Sequence, residues 1–196
     1  MWDERYSDEE YAYGKDANDF LVENTHQLKK ATVLCLADGE GRNSVFLAEQ
    51  GYDATSVDAS AEGIKKAIKL AQERNVNIQA IVADLNHYSI EENSWDSIVS
   101  IFCHLPPDLR KQVHADVVKG LKPGGVLLLE AYTPDQIILG TGGPPVAEMT
   151  MTLSQLQEEL KGLVFEVAHE KNRNVVEGKY HTGEAAVVQI VARKPG

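Results

Sequence analysis

Residues 31–43, ATVLCLADGEGRN, decide the fold. Ala31 to Leu36 is an almost unbroken apolar run, which predicts a strand buried on both faces rather than one with a wet side. Gly39 and Gly41 break that run. A helix follows from about Arg42 and ends at Gly51, a C-terminal glycine. Working outward, the same alternation repeats. Ala54 to Val57 is a second strand, and Ser60 caps a helix whose Ile64, Ala67, Ile68 and Ala71 form one core-facing stripe. Ile78 to Val82 and Ser97 to Phe102 are strands three and four. Pro107 is the first residue of a helix with Leu109, Val113 and Val117 on one face, and Val126 to Leu129 is strand five. Upstream, Asn18 caps a first helix. Downstream, Thr152 and Gln155 form a capping box for a helix carrying Leu153, Leu156 and Leu160.

Buried strands alternating with helices predict an α/β domain with a doubly wound, mostly parallel, seven-stranded Rossmann-like sheet. The final two runs, Val164 to Ala168 and Ala185 to Val191, have no helix between them, so they predict an antiparallel C-terminal hairpin. The loop from Gly140, GTGGPP, is expected over the C-terminal edge of the sheet, where such folds bind ligands. One domain accounts for 196 residues that are 43% hydrophobic and 25% charged. Within it, residues 1–30 read as an N-terminal lid segment and first helix, and residues 31–196 as the ligand-binding domain.

Charge narrows the partners. With 19 basic and 30 acidic residues the chain carries a net −11, a surface that repels nucleic acid and anionic lipid. Cys35 and Cys103 fit no zinc or disulfide spacing and suit a reduced cytoplasmic interior. The N-terminal MWDERYSDEE has neither the basic nor the apolar region of an export signal, and no run is long enough to span a bilayer. The six histidines show no HxxxH or HExxH spacing, so no metal is expected.

Three positions on the C-terminal edge make one extended site. The glycine turn at Ala37, Asp38, Gly39 and Gly41 lets a ligand approach a helix N-terminus. Asp58, seventeen positions after Gly41, stands where a carboxylate accepts ribose hydroxyls. Asp84 ends strand three, placed for an adenine amine with Leu85 covering the ring. A dinucleotide is disfavoured because Ser44 occupies the third glycine position and a pyrophosphate would face Asp38 and Glu40. A ligand with a cationic end, such as S-adenosylmethionine, suits those acids better.

Read together, these segments resemble the class I S-adenosylmethionine-dependent methyltransferases. Val33 to Asn43 resembles their glycine-rich first motif, and Val57 to Ser60 (VDAS, with Ala59) the ribose-binding second. Ala83 to Leu85 resembles the adenine-binding third, and Trp95 to Leu105, with Phe102, the fourth. Leu121 to Glu130 resembles the entry to strand five. The N-terminal WDERY at residues 2–6 is further similar to small bacterial methyltransferases related to tellurite-resistance enzymes. The chain departs from the family at Cys35, usually an acid, and at Ala37, usually glycine. Asp38 is then the candidate to hold the methionine ammonium.

The resemblance implies in-line displacement of a methyl group onto a small-molecule acceptor, with alignment and desolvation supplying most of the acceleration. A base helps only a protic acceptor, and His104, Tyr132 and His181 are the candidates at the edge. Trp2, Tyr6, Tyr11 and Tyr13 make the lid aromatic, a surface that holds a sulfonium as it holds other cations. The alternatives on this fold are a nicotinamide-dependent oxidoreductase and a non-catalytic S-adenosylmethionine-binding module. For the acceptor, a neutral or cationic metabolite, a thiol and an oxyanion such as tellurite all stay open.

Overall fold

A computed structural model describes residues 2–196. It contains a seven-stranded sheet in the order β3-β2-β1-β4-β5-β7-β6, built from β1 (Thr32–Leu36), β2 (Asp53–Asp58), β3 (Gln79–Val82), β4 (Trp95–Ile101), β5 (Leu121–Tyr132), β6 (Val164–Glu177) and β7 (His181–Arg193). β1 to β5 pair in parallel, while β7 lies antiparallel to both β5 and β6. The expected doubly wound sheet with its antiparallel C-terminal pair is the observed one. The hairpin is much longer than its two apolar runs. β6 alternates exposed and half-buried positions through polar residues such as Asn172 and Asn174, so hydrophobicity marks only its first turn of chain.

The helices are α1 (Trp2–Tyr6), α2 (Asp19–Asn24), α3 (Arg42–Glu49), α4 (Ala61–Glu73), α5 (Pro107–Gly120), α6 (Gln136–Leu139) and α7 (Leu153–Glu159). Their starts follow local chemistry. Asn18 accepts the Leu21 N–H, Ser60 accepts that of Gly63, Pro107 opens α5, and the Thr152–Gln155 capping box is complete. Ile68, expected in the core stripe of α4, is 42% exposed, and Leu70 is buried in its place. The stripe therefore runs Gly63, Ile64, Ala67, Leu70 and Ala71.

Side-chain alternation along β1 divides the core. Val33 and Cys35 face Leu21 of α2 and Leu47 of α3, whereas Leu34 and Leu36 face Val113 and Val117 of α5 and Leu156 of α7. Beneath that second layer a buried ionic cluster ties α5 to α7. Arg110 grips Glu159 through Nε and Nη2, and His114 Nδ1 meets the same carboxylate at 2.6 Å. No helix among the described residues is long and apolar enough to cross a membrane.

Candidate functional site

The turn between β1 and α3 runs through left-handed backbone at three of its positions: Ala37 at φ +48°, Gly39 at +60° and Gly41 at +84°. An alanine held there costs on the order of 1–2 kcal/mol, strain that concentrates at working sites. Phe102, just past β4, is the second such residue on this edge, at φ +51°. Gly41 is required by packing as well, because a Cβ there would lie 2.5 Å from the Ala67 Cβ of α4.

Asp58, at the end of β2, accepts the backbone N–H of Gly39 at 2.8 Å through one oxygen and that of Ser60 at 2.8 Å through the other. It thereby welds the glycine turn to the start of α4. Each oxygen keeps a lone pair for a hydroxyl, and Ala59 lies between the two contacts. Burial pushes the Asp58 pKa up against these two N–H bonds. Asp38 accepts the Ser56 hydroxyl at 2.8 Å, and burial raises it to about 6 despite bonds from Ser44 and Ser56. It is turned toward strand β2, beneath the turn, and not outward as a substitute for the missing acid would be. Asp84 is exposed and accepts the Asn86 N–H, with the neighbouring Leu85 buried in the core.

Glu40 corrects the expected picture. It does not face a ligand phosphate; it is buried, taking the Ala12 N–H at 2.8 Å and the Lys66 ammonium at 2.7 Å. The argument against a dinucleotide therefore rests on Ser44 alone. Glu40 instead clamps the N-terminal segment. Asp3 does the same one turn away, accepting Ser60 Oγ and the Glu62 N–H. Held so, Tyr6 lodges between Gly39 and Gly63, and a Cβ on Gly39 would lie 2.7 Å from the Tyr6 hydroxyl. Of the aromatic residues expected over the edge, Tyr6 and Tyr13 are there. Tyr11 turns away and places its ring under the ammonium groups of Lys15 and Lys66.

From Tyr6 a continuous run of rings crosses the edge. Tyr13 lies 6.3 Å from Tyr6 and 4.5 Å from His181; His181 lies 4.8 Å from Phe102 and 5.3 Å from Tyr132; Phe102 and Tyr132 stack at 4.5 Å. The structure thus gathers Phe102 and His104 from the segment after β4, Tyr132 from the end of β5 and His181 from the start of β7. Burial raises the Tyr132 phenol, which stays protonated.

The two histidines differ. His104 has both nitrogens committed, with Nδ1 2.9 Å from the Met149 carbonyl and Nε2 receiving the Tyr132 backbone N–H. A carbonyl only accepts, so Nδ1 carries the proton. Burial holds the ring neutral, down to about 4. His104, expected as a base, thus has no lone pair left for a substrate proton. His181 Nδ1, by contrast, is buried without a hydrogen-bond partner, 3.9 Å from Glu177. Burial lowers its pKa although Glu177 acts to raise it.

Behind His181 lies a buried ionic network invisible to motif reading. Glu177 receives Arg42 at 2.5 Å and the Asn18 amide at 2.8 Å, and Glu130 receives Arg173 at 2.6 Å and Gln189 at 2.8 Å. Burial alone would raise Glu177, but the Arg42 guanidinium and the Asn18 amide hold it down at about 2. The signal that could have found the network is Arg42 and Glu130, two charges inside otherwise apolar or glycine-rich runs. Cys103 is a buried thiol pushed up to about 12 by burial, no nucleophile at neutral pH.

Residues 33–125 match the family described as "Methyltransferase domain". The glycine/sarcosine N-methyltransferase of Halorhodospira halochloris is 29% identical over 143 residues, covering 70% of this chain and 50% of that protein. The probable S-adenosyl-L-methionine-dependent methyltransferase TehB of Haemophilus influenzae is 30% identical over 120 residues, 60% of this chain and 42% of that one. The chain thus spans about half the length of these curated relatives. The crystal structure of TehB from Haemophilus influenzae superposes with a TM-score of 0.74 at 24% identity, over 91% of this chain and 62% of that one, which shows the shared fold. Residues 33–125 thus match a methyltransferase domain, and the chain resembles the class I S-adenosylmethionine-dependent methyltransferases, TehB among them.

Proposed function

We propose that the protein transfers a methyl group from S-adenosylmethionine to a small-molecule acceptor at the C-terminal edge of its sheet. The observation that carries this reading is the run of rings from Tyr6 through Tyr13 and His181 to Phe102 and Tyr132, anchored beside the glycine turn and Asp58. When bound, the cofactor supplies a methyl carbon activated by its sulfonium. The chain does the rest. The turn through Ala37, Gly39 and Gly41 borders the cofactor, Asp58 accepts ribose hydroxyls, and Asp84 with Leu85 borders the adenine. The ring faces hold the positive charge.

For a protic acceptor, His181 takes the proton, oriented by Glu177, while the protonated Tyr132 hydroxyl donates to the acceptor. His104 positions the wall on which Tyr132 sits. Residues 2–18 close over the edge and exclude water, which strengthens each of these contacts. This division of labour supports a lid in the N-terminal segment, held by Glu40 and Asp3.

Calorimetry tests the cofactor half. S-adenosylhomocysteine should bind in the micromolar range, roughly −8 kcal/mol, with no saturable heat from NADH. NADH binding with no heat from S-adenosylhomocysteine would point to the oxidoreductase reading instead. Incubation with methyl-labelled cofactor tests turnover, and tight binding without label transfer to any acceptor would mark a binding module.

A further inference from the structure

We propose that Arg5 anchors the acceptor, and that the acceptor carries an anionic group, a carboxylate or equivalent oxyanion, on the side opposite the atom that is methylated. The proposal rests on the methyl-transfer reading above. Its starting point is a contrast among the six arginines. Arg42, Arg74, Arg110, Arg173 and Arg193 each lie within 4.0 Å of a carboxylate. Arg5 meets none among the described residues, although this is the most acidic stretch of a chain with net charge −11. Its neighbour Asp3 is turned away to Ser60 and Glu62.

What Arg5 meets is rings. Its Cζ lies 4.5 Å from the centre of the Tyr180 ring and 5.5 Å from that of Trp2, and Nη1 donates to the Tyr13 hydroxyl at 3.0 Å. A guanidinium has five N–H donors in one plane. Stacking on a ring face leaves that plane open, and one bond to Tyr13 leaves donors to grip a carboxylate in the paired geometry that arginine favours. The side chain is exposed, so a ligand can reach it.

Position turns this into a specificity statement. Tyr13 spaces Arg5 from the reacting end: its hydroxyl meets the guanidinium, and its ring lies 4.5 Å from that of His181. An acceptor of amino-acid or substituted-benzoate size bridges that gap. The other guanidiniums near the edge, Arg42 and Arg173, are spent on Glu177 and Glu130. On a surface that repels anions at long range, a local cation left unpaired is the device that admits one.

The test uses matched pairs differing only in charge: 4-hydroxybenzoate and 4-hydroxybenzamide, glycine and glycinamide, mercaptoacetate and mercaptoacetamide. Each is measured for binding to the S-adenosylhomocysteine complex and for turnover, in the wild type, Arg5→Gln and Arg5→Lys. The wild type should favour the carboxylate of at least one pair by about tenfold or more, expressed in KM. Arg5→Gln should bring that ratio close to one with S-adenosylhomocysteine affinity unchanged, and Arg5→Lys should retain part of it. A wild type without any carboxylate preference overturns the proposal, as does a preference that survives in Arg5→Gln. Parallel loss of both pair members and of S-adenosylhomocysteine affinity would make Arg5 a latch for the N-terminal segment. Failure of the wild type to bind S-adenosylhomocysteine would instead sink the methyl-transfer reading itself.

Discussion

His104 and Tyr132 are joined through the imidazole and the backbone: Nε2 of His104 accepts the Tyr132 N–H at 3.3 Å while its other nitrogen donates to Met149. The ring is a fixed bridge between the end of β5 and the 148–150 turn, whose flanking carbonyls at Glu148 and Thr150 are held by Arg110. His181, edge-on to the Tyr132 ring at 5.3 Å, has the uncommitted nitrogen.

This division predicts opposite kinetic signatures. His181→Asn should lower turnover of a protic acceptor by about 10²–10⁴, with affinity for S-adenosylhomocysteine, which has no sulfonium charge, unchanged. The wild-type rate should lose activity only below the ordinary imidazole range, because burial lowers the His181 pKa. His104→Gln should leave the pH profile of kcat in place and appear as a loss of stability of about 1–2 kcal/mol, since two buried bonds are disturbed. A pH profile that moves with His104 and not with His181 would reverse the two roles.

Stability against pH follows from the same burial. His104 titrates near 4 when folded, against 6.5 for a free imidazole, so the unfolded state takes up the proton first. Its contribution is complete above 6.5 and is lost as pH falls toward 4. Asp38 has the opposite sign: raised to about 6 from 3.8, it contributes most below 3.8, and that contribution fades as pH rises through 6. Between pH 6.5 and 4 the two oppose each other, so Asp38→Asn should make urea midpoints fall more steeply with falling pH than in the wild type. His104→Gln should flatten the decline. Glu177 and Glu159, both held at about 2, withdraw their contribution as pH falls from 4.5 toward 2.

Arg42 and Glu177 form a buried pair whose halves lie 135 positions apart. Arg42→Met strands the Glu177 carboxylate in the interior and should cost about 3–5 kcal/mol. For a chain of this length that lowers Tm by roughly 10 °C. The double variant Arg42→Met/Glu177→Leu should lose less than the sum of the two singles, as measured by thermal unfolding. Simple additivity would show that the two side chains are not coupled.

Asp58 has a double duty that separates its variants. Asp58→Ala removes the acceptor for both Gly39 and Ser60, so it should weaken S-adenosylhomocysteine by about 2–3 kcal/mol and also destabilise the fold. Asp58→Asn keeps one carbonyl oxygen and should recover much of the stability but little of the affinity. Equal affinity of Asp58→Asn and wild type, by calorimetry, would remove the carboxylate from the ribose site.

How much was legible depended on range. The caps at Asn18, Ser60, Pro107 and Thr152 are contracts between residues a few positions apart, and each reads directly. The strand ends bearing Asp58, Asp84 and Phe102 follow from periodicity plus one glycine turn. The direction of the His104 hydrogen bonds did not, because the turn that fixes it lies 45 residues away. The burial of Glu40 escapes local reading for the same reason: its partners Ala12 and Lys66 come from other segments. The odd alanine in a glycine motif was the one local clue to strain, and Ala37 indeed sits at positive φ.

The position of β7 has a consequence for how the molecule comes into being. β7 follows β6 in the chain yet is not an edge strand; it inserts between β5 and β6, pairing on both sides. On the ribosome, β6 emerges first and finds no strand to pair with, and β5 waits with one side of its backbone unbonded. Asn18 and Ala12 meet Glu177, the last residue of β6, and Lys179, in the turn that follows it. Without β7 the sheet is therefore open between β5 and β6, although Glu40 and Asp3 already hold the N-terminal segment to the first half of the domain.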